Sequence, residues 1–117
     1  MTYGVGGWVY GYGYEEALRH SELLGQEPLI KVGHTHGHYL IRVAAQTRGT
    51  EVPDAPRILR AYQVVDSVRA EAAIHRRLKT EGHHHRRAGG SEWFKVTVAR
   101  LDAIADEVLR ALDSKPA

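Results

Sequence analysis

The most constraining feature is a period-two run of large rings near the start of the chain, Trp8, Tyr10 and Tyr12. Alternation of this kind puts all three on one face of a β-strand. A strand with such a face must bury it, so the chain needs at least one covering layer. The other end supplies a second layer. Val98 to Leu112 carries Leu101, Ile104, Ala105, Val108 and Leu112 at helical spacing, an amphipathic C-terminal helix. At 117 residues one domain is expected, spanning 1–117, and folding should bury roughly two-thirds of its unfolded surface.

The segments between these ends alternate in type. Glu15 to Leu24 reads as a short helix ended by Gly25 and Pro28. Leu29 to Gly33 reads as a second strand, with Lys31 opposite Ile30 and Val32, and His34 directly after it. Tyr39 to Thr47 reads as a helix with a stripe of Leu40, Val43 and Ala44, which leaves Arg42 on another face. Arg57 to Val65 is a third strand candidate. Asp66 is a suitable N-cap for a helix running to about Thr80. Trp93 to Val98 is a short extended piece. Strands and helices in this order are α+β, with too few strands for a doubly wound sheet.

Composition removes several function classes. With no cysteine there is no disulfide, iron–sulfur cluster or thiolate zinc site. No apolar run approaches a membrane span, and the start lacks a basic, apolar leader, so a cytoplasmic chain is expected. Charge is concentrated: Arg69 to Arg100 holds eight bases against three acids, and Arg outnumbers Lys by 12 to 4. Guanidinium groups suit bidentate phosphate binding, although a solvated helix face reads the same way. Arg76, Arg77, Lys79, Arg86 and Arg87 are the candidate backbone contacts, with Tyr12, His34 and Trp93 as further nucleic-acid-binding candidates.

In the helix after Asp66, Val68, Ile74 and Leu78 mark the buried side, and Glu71 and His75 fall in the same sector. A carboxylate there needs a partner: a metal, an arginine or a polar cleft. The alternative is a stripe edge, where both side chains reach water. The histidine clusters at 34–38 and 83–85 lie in loop-like segments, and neither is an i,i+4 helical pair, so most of these histidines are expected to be exposed.

Taken in order, Trp8-Val9-Tyr10, Lys31-Val32-Gly33-His34-Thr35, Arg42, Arg69 to His75 and Glu92-Trp93-Phe94 resemble the GIY-YIG nuclease superfamily. The likeness is to its phage- and plasmid-associated branch, with a Lys-Ile/Val-Gly second motif, and it covers about residues 7–97. The resemblance implies a small three-stranded antiparallel sheet flanked by helices. It also implies metal-dependent hydrolysis of phosphodiesters, in DNA ahead of RNA. Tyr10, or Tyr12 on the same face, would orient or deprotonate water. Lys31 holds the second motif's aromatic position, and Arg42 would meet the phosphate. Glu71 would hold one divalent cation, Mg or Mn, with His75 close by on the helix. The same resemblance leaves a non-cleaving nucleic-acid-binding module as the alternative. Targeting by a homodimer or a protein partner is a further expectation.

Overall fold

The computed structural model describes residues 6–47, 55–85 and 93–114. Arg86 and Arg87 lie outside the described residues.

The elements run β1 (Trp8–Tyr14), α1 (Glu15–Leu24), β2 (Leu29–Thr35), α2 (Tyr39–Thr47), β3 (Pro56–Gln63), α3 (Ser67–Thr80), β4 (Trp93–Lys95) and α4 (Val98–Ser114). The sheet has four strands, not the expected three, in the order β3-β1-β2-β4, with every neighbour antiparallel. The extra strand is the short piece at Trp93. Its pairing with Leu29–Lys31 crosses more than sixty positions, which no local pattern reveals.

The period-two reading of β1 holds. Its two faces serve two cores. Tyr10 and Tyr12 pack with Trp93 of β4 and Val43 of α2, and Tyr39, Tyr14, Leu29 and Ile58 complete this aromatic layer. Val9, Ile30, Val32 and Phe94 face the other way, onto Ala70, Ile74 and Leu78 of α3 and Leu101, Ile104 and Ala105 of α4. The amphipathic face expected of α4 is the one it buries. Its neighbour Asp102 ties it to the edge strand, receiving Tyr62 Oη at 2.6 Å and Arg60 Nε at 3.0 Å.

Local signals explain the helix ends. Asp66 caps α3 by accepting from the Arg69 N–H at 3.1 Å. Gly25 closes α1 with φ at 66°, a conformation that favours glycine. The stripes differ from expectation in two places. Val68 is half-exposed, at 51%, and the buried side of α3 is centred on Ser67, Ala70, Ile74 and Leu78. On α2 only Val43 is buried, while Leu40 and Ala44 are exposed. Glu71 and His75 consequently flank the apolar stripe of α3, and both are half-buried.

Candidate functional site around Tyr10

β2 runs two residues further than expected, to Thr35, so His34 belongs to the strand and pairs with Val9. Tyr10 pairs with Gly33. The Tyr10 ring lies flat on that glycine: a Cβ built on Gly33 would sit 2.6 Å from Tyr10 Oη and 2.7 Å from Cζ. Any side chain at position 33 would occupy the place of the ring. Tyr12 stacks behind it, with centroids 6.2 Å apart and planes 21° apart, and Trp93 meets Tyr12 edge-on. Tyr10 and Tyr12 are each 1% exposed, and Trp93 is 8% exposed. At that burial neither Tyr12 nor Trp93 turns a ring face to the surface for a base to stack on.

The Tyr10 hydroxyl is held from α2. It donates to Gln46 Oε1 at 2.9 Å. Gln46 stands one helical turn after Arg42, and no sequence pattern marks it out. Burial pushes the Tyr10 phenol above its usual value. The nearby Arg42 guanidinium pulls the other way, and the Glu71 carboxylate adds to the rise. Side chains from α2 and α3 thus act on one oxygen of β1. Lys31 shares the Tyr12 face of the sheet, opposite Tyr12 in the register, and is half-buried. Arg42 is exposed.

Glu71 does not lie under the face that carries Tyr10. α3 covers the opposite face, and Glu71 reaches the site past β2. Among the described residues β4 pairs with Leu29, Ile30 and Lys31 of β2. The Pro28 carbonyl accepts from the Val96 N–H, so by period two the Val32 carbonyl points to the same edge. Among the described residues no β4 donor meets it. His75 Nε2 lies 2.8 Å from that carbonyl, which can only accept, so Nε2 carries the proton. The His75 ring also leans on Phe94, with centroids 5.0 Å apart.

One turn earlier on α3, Glu71 Oε2 lies 3.0 Å from His34 Nδ1. Glu71 thus sits at the edge of the apolar stripe, and its neighbour is a histidine from a strand 37 positions away. The pair is close but not aligned. His34 Nδ1 is buried and makes no hydrogen bond of acceptable geometry, despite the short distance. Two potential ligand atoms thus face each other without satisfying each other. Among the described residues no group of three or more His, Asp or Glu side chains is arranged to hold a metal.

The basic helix face divides. Arg77 is committed to structure, donating to Glu81 at 2.9 Å and Glu107 at 2.8 Å. It lines a shallow groove between α3 and α4 with Arg76, on the flank of α3 away from Glu71. Arg76 and Lys79 are exposed and have no ion pair among the described residues. A larger groove, lined by Gln63, Val64, Asp66, Arg69 and Leu109, contains none of the residues around Tyr10.

The T5orf172 domain model matches residues 7–109. The chain belongs to the T5orf172 domain family. Membership points to a nucleic-acid-related role for this T5orf172 chain. No curated protein and no solved structure matches it. Among the described residues no helix is long and apolar enough to cross a membrane.

Proposed function

We propose that this T5orf172 domain hydrolyses phosphodiester bonds in nucleic acid, DNA ahead of RNA, with one divalent cation, in the manner of GIY-YIG nucleases. The observation that carries the reading is the Tyr10 hydroxyl held by Gln46 at 2.9 Å with Arg42 beside it on the same helix, while Glu71 lies against His34 from the other face of the sheet and reaches that oxygen only through the field of its carboxylate. The family adds support, since T5orf172 domains occur in nuclease-associated phage proteins.

The residues suit the chemistry. The Tyr10 O–H donates to Gln46 and the Arg42 guanidinium can only donate to its oxygen, which leaves one lone pair to accept from a water molecule. The raised phenol stays protonated at neutral pH, so Tyr10 orients the water rather than deprotonating it. The water oxygen attacks phosphorus as the bond to the leaving ester oxygen breaks. The water's proton passes to solvent, and the leaving oxygen gains one. Negative charge builds on the non-bridging oxygens, where the exposed Arg42 guanidinium neutralises it. Glu71 and the unsatisfied His34 Nδ1 would hold the cation, with water filling its other positions. Such an ion polarises the phosphoryl oxygen as a Lewis acid.

Glu71→Gln tests this reading. The amide has nearly the same shape, so the melt and the affinity in chelator should match wild type. Single-turnover cleavage in Mg or Mn should fall at least about 100-fold, the loss of a few kcal/mol of transition-state stabilisation. Equal cleavage by both proteins refutes Glu71 as the metal ligand. A wild type that cleaves no polynucleotide in any divalent ion leaves a binding module on the same fold.

A further inference from the structure

Three rings beside the site take no part in the chemistry above. Trp8 lies two positions before Tyr10 on the same face of β1 and meets Tyr39 of α2 edge-on, with centroids 4.8 Å apart and planes at 63°. Tyr39 carries the His38 imidazole on its face, at 4.5 Å and 25°. The series runs outward: Trp8 and Tyr39 are half-buried, and His38 is exposed.

The last ring is not loose. The Leu40 N–H donates to His38 Nδ1 at 3.2 Å, which pins the imidazole and leaves the proton on Nε2, the nitrogen turned away from this bond. Tyr39 also stands one helical turn before Arg42, so both project from adjacent positions on one flank of α2. A packed cluster of three rings, Trp8 edge-on to Tyr39 and 6.1 Å from His38, with Tyr39 stacked on His38, therefore ends at an exposed imidazole within one turn of the guanidinium assigned to the phosphate.

A nucleobase is the flat group that accompanies every phosphate. In an intact duplex its faces are covered by neighbouring bases, so only an unpaired or splayed base can extend such a stack. Stacking on aromatic rings accepts any base, because each has a π-face. We propose that Trp8, Tyr39 and His38 form a stacking platform for an unpaired nucleobase flanking the phosphate at Arg42. Single-stranded or locally unpaired nucleic acid is then the substrate class of this site, an inference that rests on the function proposed above.

Two substitutions at one position separate stacking from helix capping. His38→Phe keeps a ring and loses the Nδ1 acceptor. His38→Asn keeps an acceptor and loses the ring. The probe is a short single strand carrying 2-aminopurine at successive positions, titrated in chelator so that no cleavage occurs. Wild type and His38→Phe should bind within about 2-fold of each other and quench the probe at one position. His38→Asn should bind about 5- to 10-fold more weakly and lose that quenching, the scale of one stacked base. A fully paired duplex of the same sequence should show no dependence on position 38.

Loss of affinity in His38→Phe with retention in His38→Asn would make the residue a cap and overturn the proposal. Equal affinity across all three proteins would overturn it too, as would the same dependence on duplex. Cleavage is measured separately. A wild type that shows the stacking pattern but never cleaves sinks the hydrolytic reading and leaves the platform. A wild type that cleaves without the pattern does the reverse.

Discussion

Gly33→Ala is the sharpest structural test of the site. Position 33 has no left-handed backbone, so the substitution acts through space and not through strain. The new Cβ would lie 2.6 Å from Tyr10 Oη and 2.7 Å from Cζ. Ordinary contact begins near 3.4 Å, so the hydroxyl must retreat by about 0.8 Å, the difference between those two distances. A flexible, exposed tip would do this at little cost. Tyr10 is 1% exposed, has Tyr12 stacked behind it and is tied to Gln46. Overpacking a fixed core ring costs about 1–3 kcal/mol. A displacement near 1 Å at a reacting group can cost about 100-fold in rate.

Gly11→Ala is the matched control. It adds the same methyl to the neighbouring strand on the other face, where it would meet Ile30 Cγ2 at 3.2 Å and Leu101 Cδ2 at 3.3 Å. Those contacts need only a few tenths of an ångström of adjustment. Urea melts and single-turnover cleavage of both variants separate the two effects. Gly33→Ala should lose stability and most cleavage. Gly11→Ala should lose less stability and retain cleavage. If Gly33→Ala melts and cleaves like wild type, the Tyr10 ring is not held on Gly33 and its placement is not what the rate depends on.

Contacts from Arg100 first, then from Arg77 and His83, hold the Glu81 carboxyl down to about 2, against an ordinary 4.5. A depressed carboxyl stabilises the fold above its unfolded value and loses that contribution as pH falls through the window from about 4.5 to 2. Glu81→Gln should therefore lower Tm at pH 7, with the gap to wild type closing toward pH 2; a constant gap refutes the ion pairs. Because the Tyr10 phenol is raised above 10.0, single-turnover cleavage should show no tenfold rise per pH unit between 7 and 9. Such a rise, lost in Tyr10→Phe, would make its phenolate the base. On single strands each phosphate neutralised adds about −0.7 to the salt slope of binding. Arg42→Ala should shrink that slope, and Arg77→Ala, already bound to Glu81 and Glu107, should leave it unchanged.

Much of the frame is legible in the sequence because its signals are local. α1 and α2 occupy the expected residues, punctuated by Gly25 and Pro28 and by the turn at 36–38. The Asp66 cap is visible for the same reason. Legibility ends where partners are distant. Gly33 looks like a strand terminator, yet β1 continues the ladder through His34 and Thr35. Val68 looks like core, but the small residues Ser67 and Ala70 set the buried side of α3, and hydropathy does not weight them. The sequence leaves Glu71 either partnered or at a stripe edge, and nothing in it shows that His34 is near. Gln46 carries no signal at all, since its only distinction is the phenol it receives.

The site exists where it does because of how β2 is built. Gly33 lacks a Cβ, so the Tyr10 ring can lie on the strand rather than stand off it. Among the described residues β4 offers the Val32 carbonyl no donor, and His75 meets it at 2.8 Å. The buried stripe of Ala70, Ile74 and Leu78, together with that bond, sets the rotation of α3 about its axis. Glu71, four residues earlier, is then carried to His34, the next residue of β2 on the face of Val32. The acidic side of the site thus follows from how α3 packs on β2, and the basic side, Arg42 with Gln46, follows from α2, the helix that comes after the same strand.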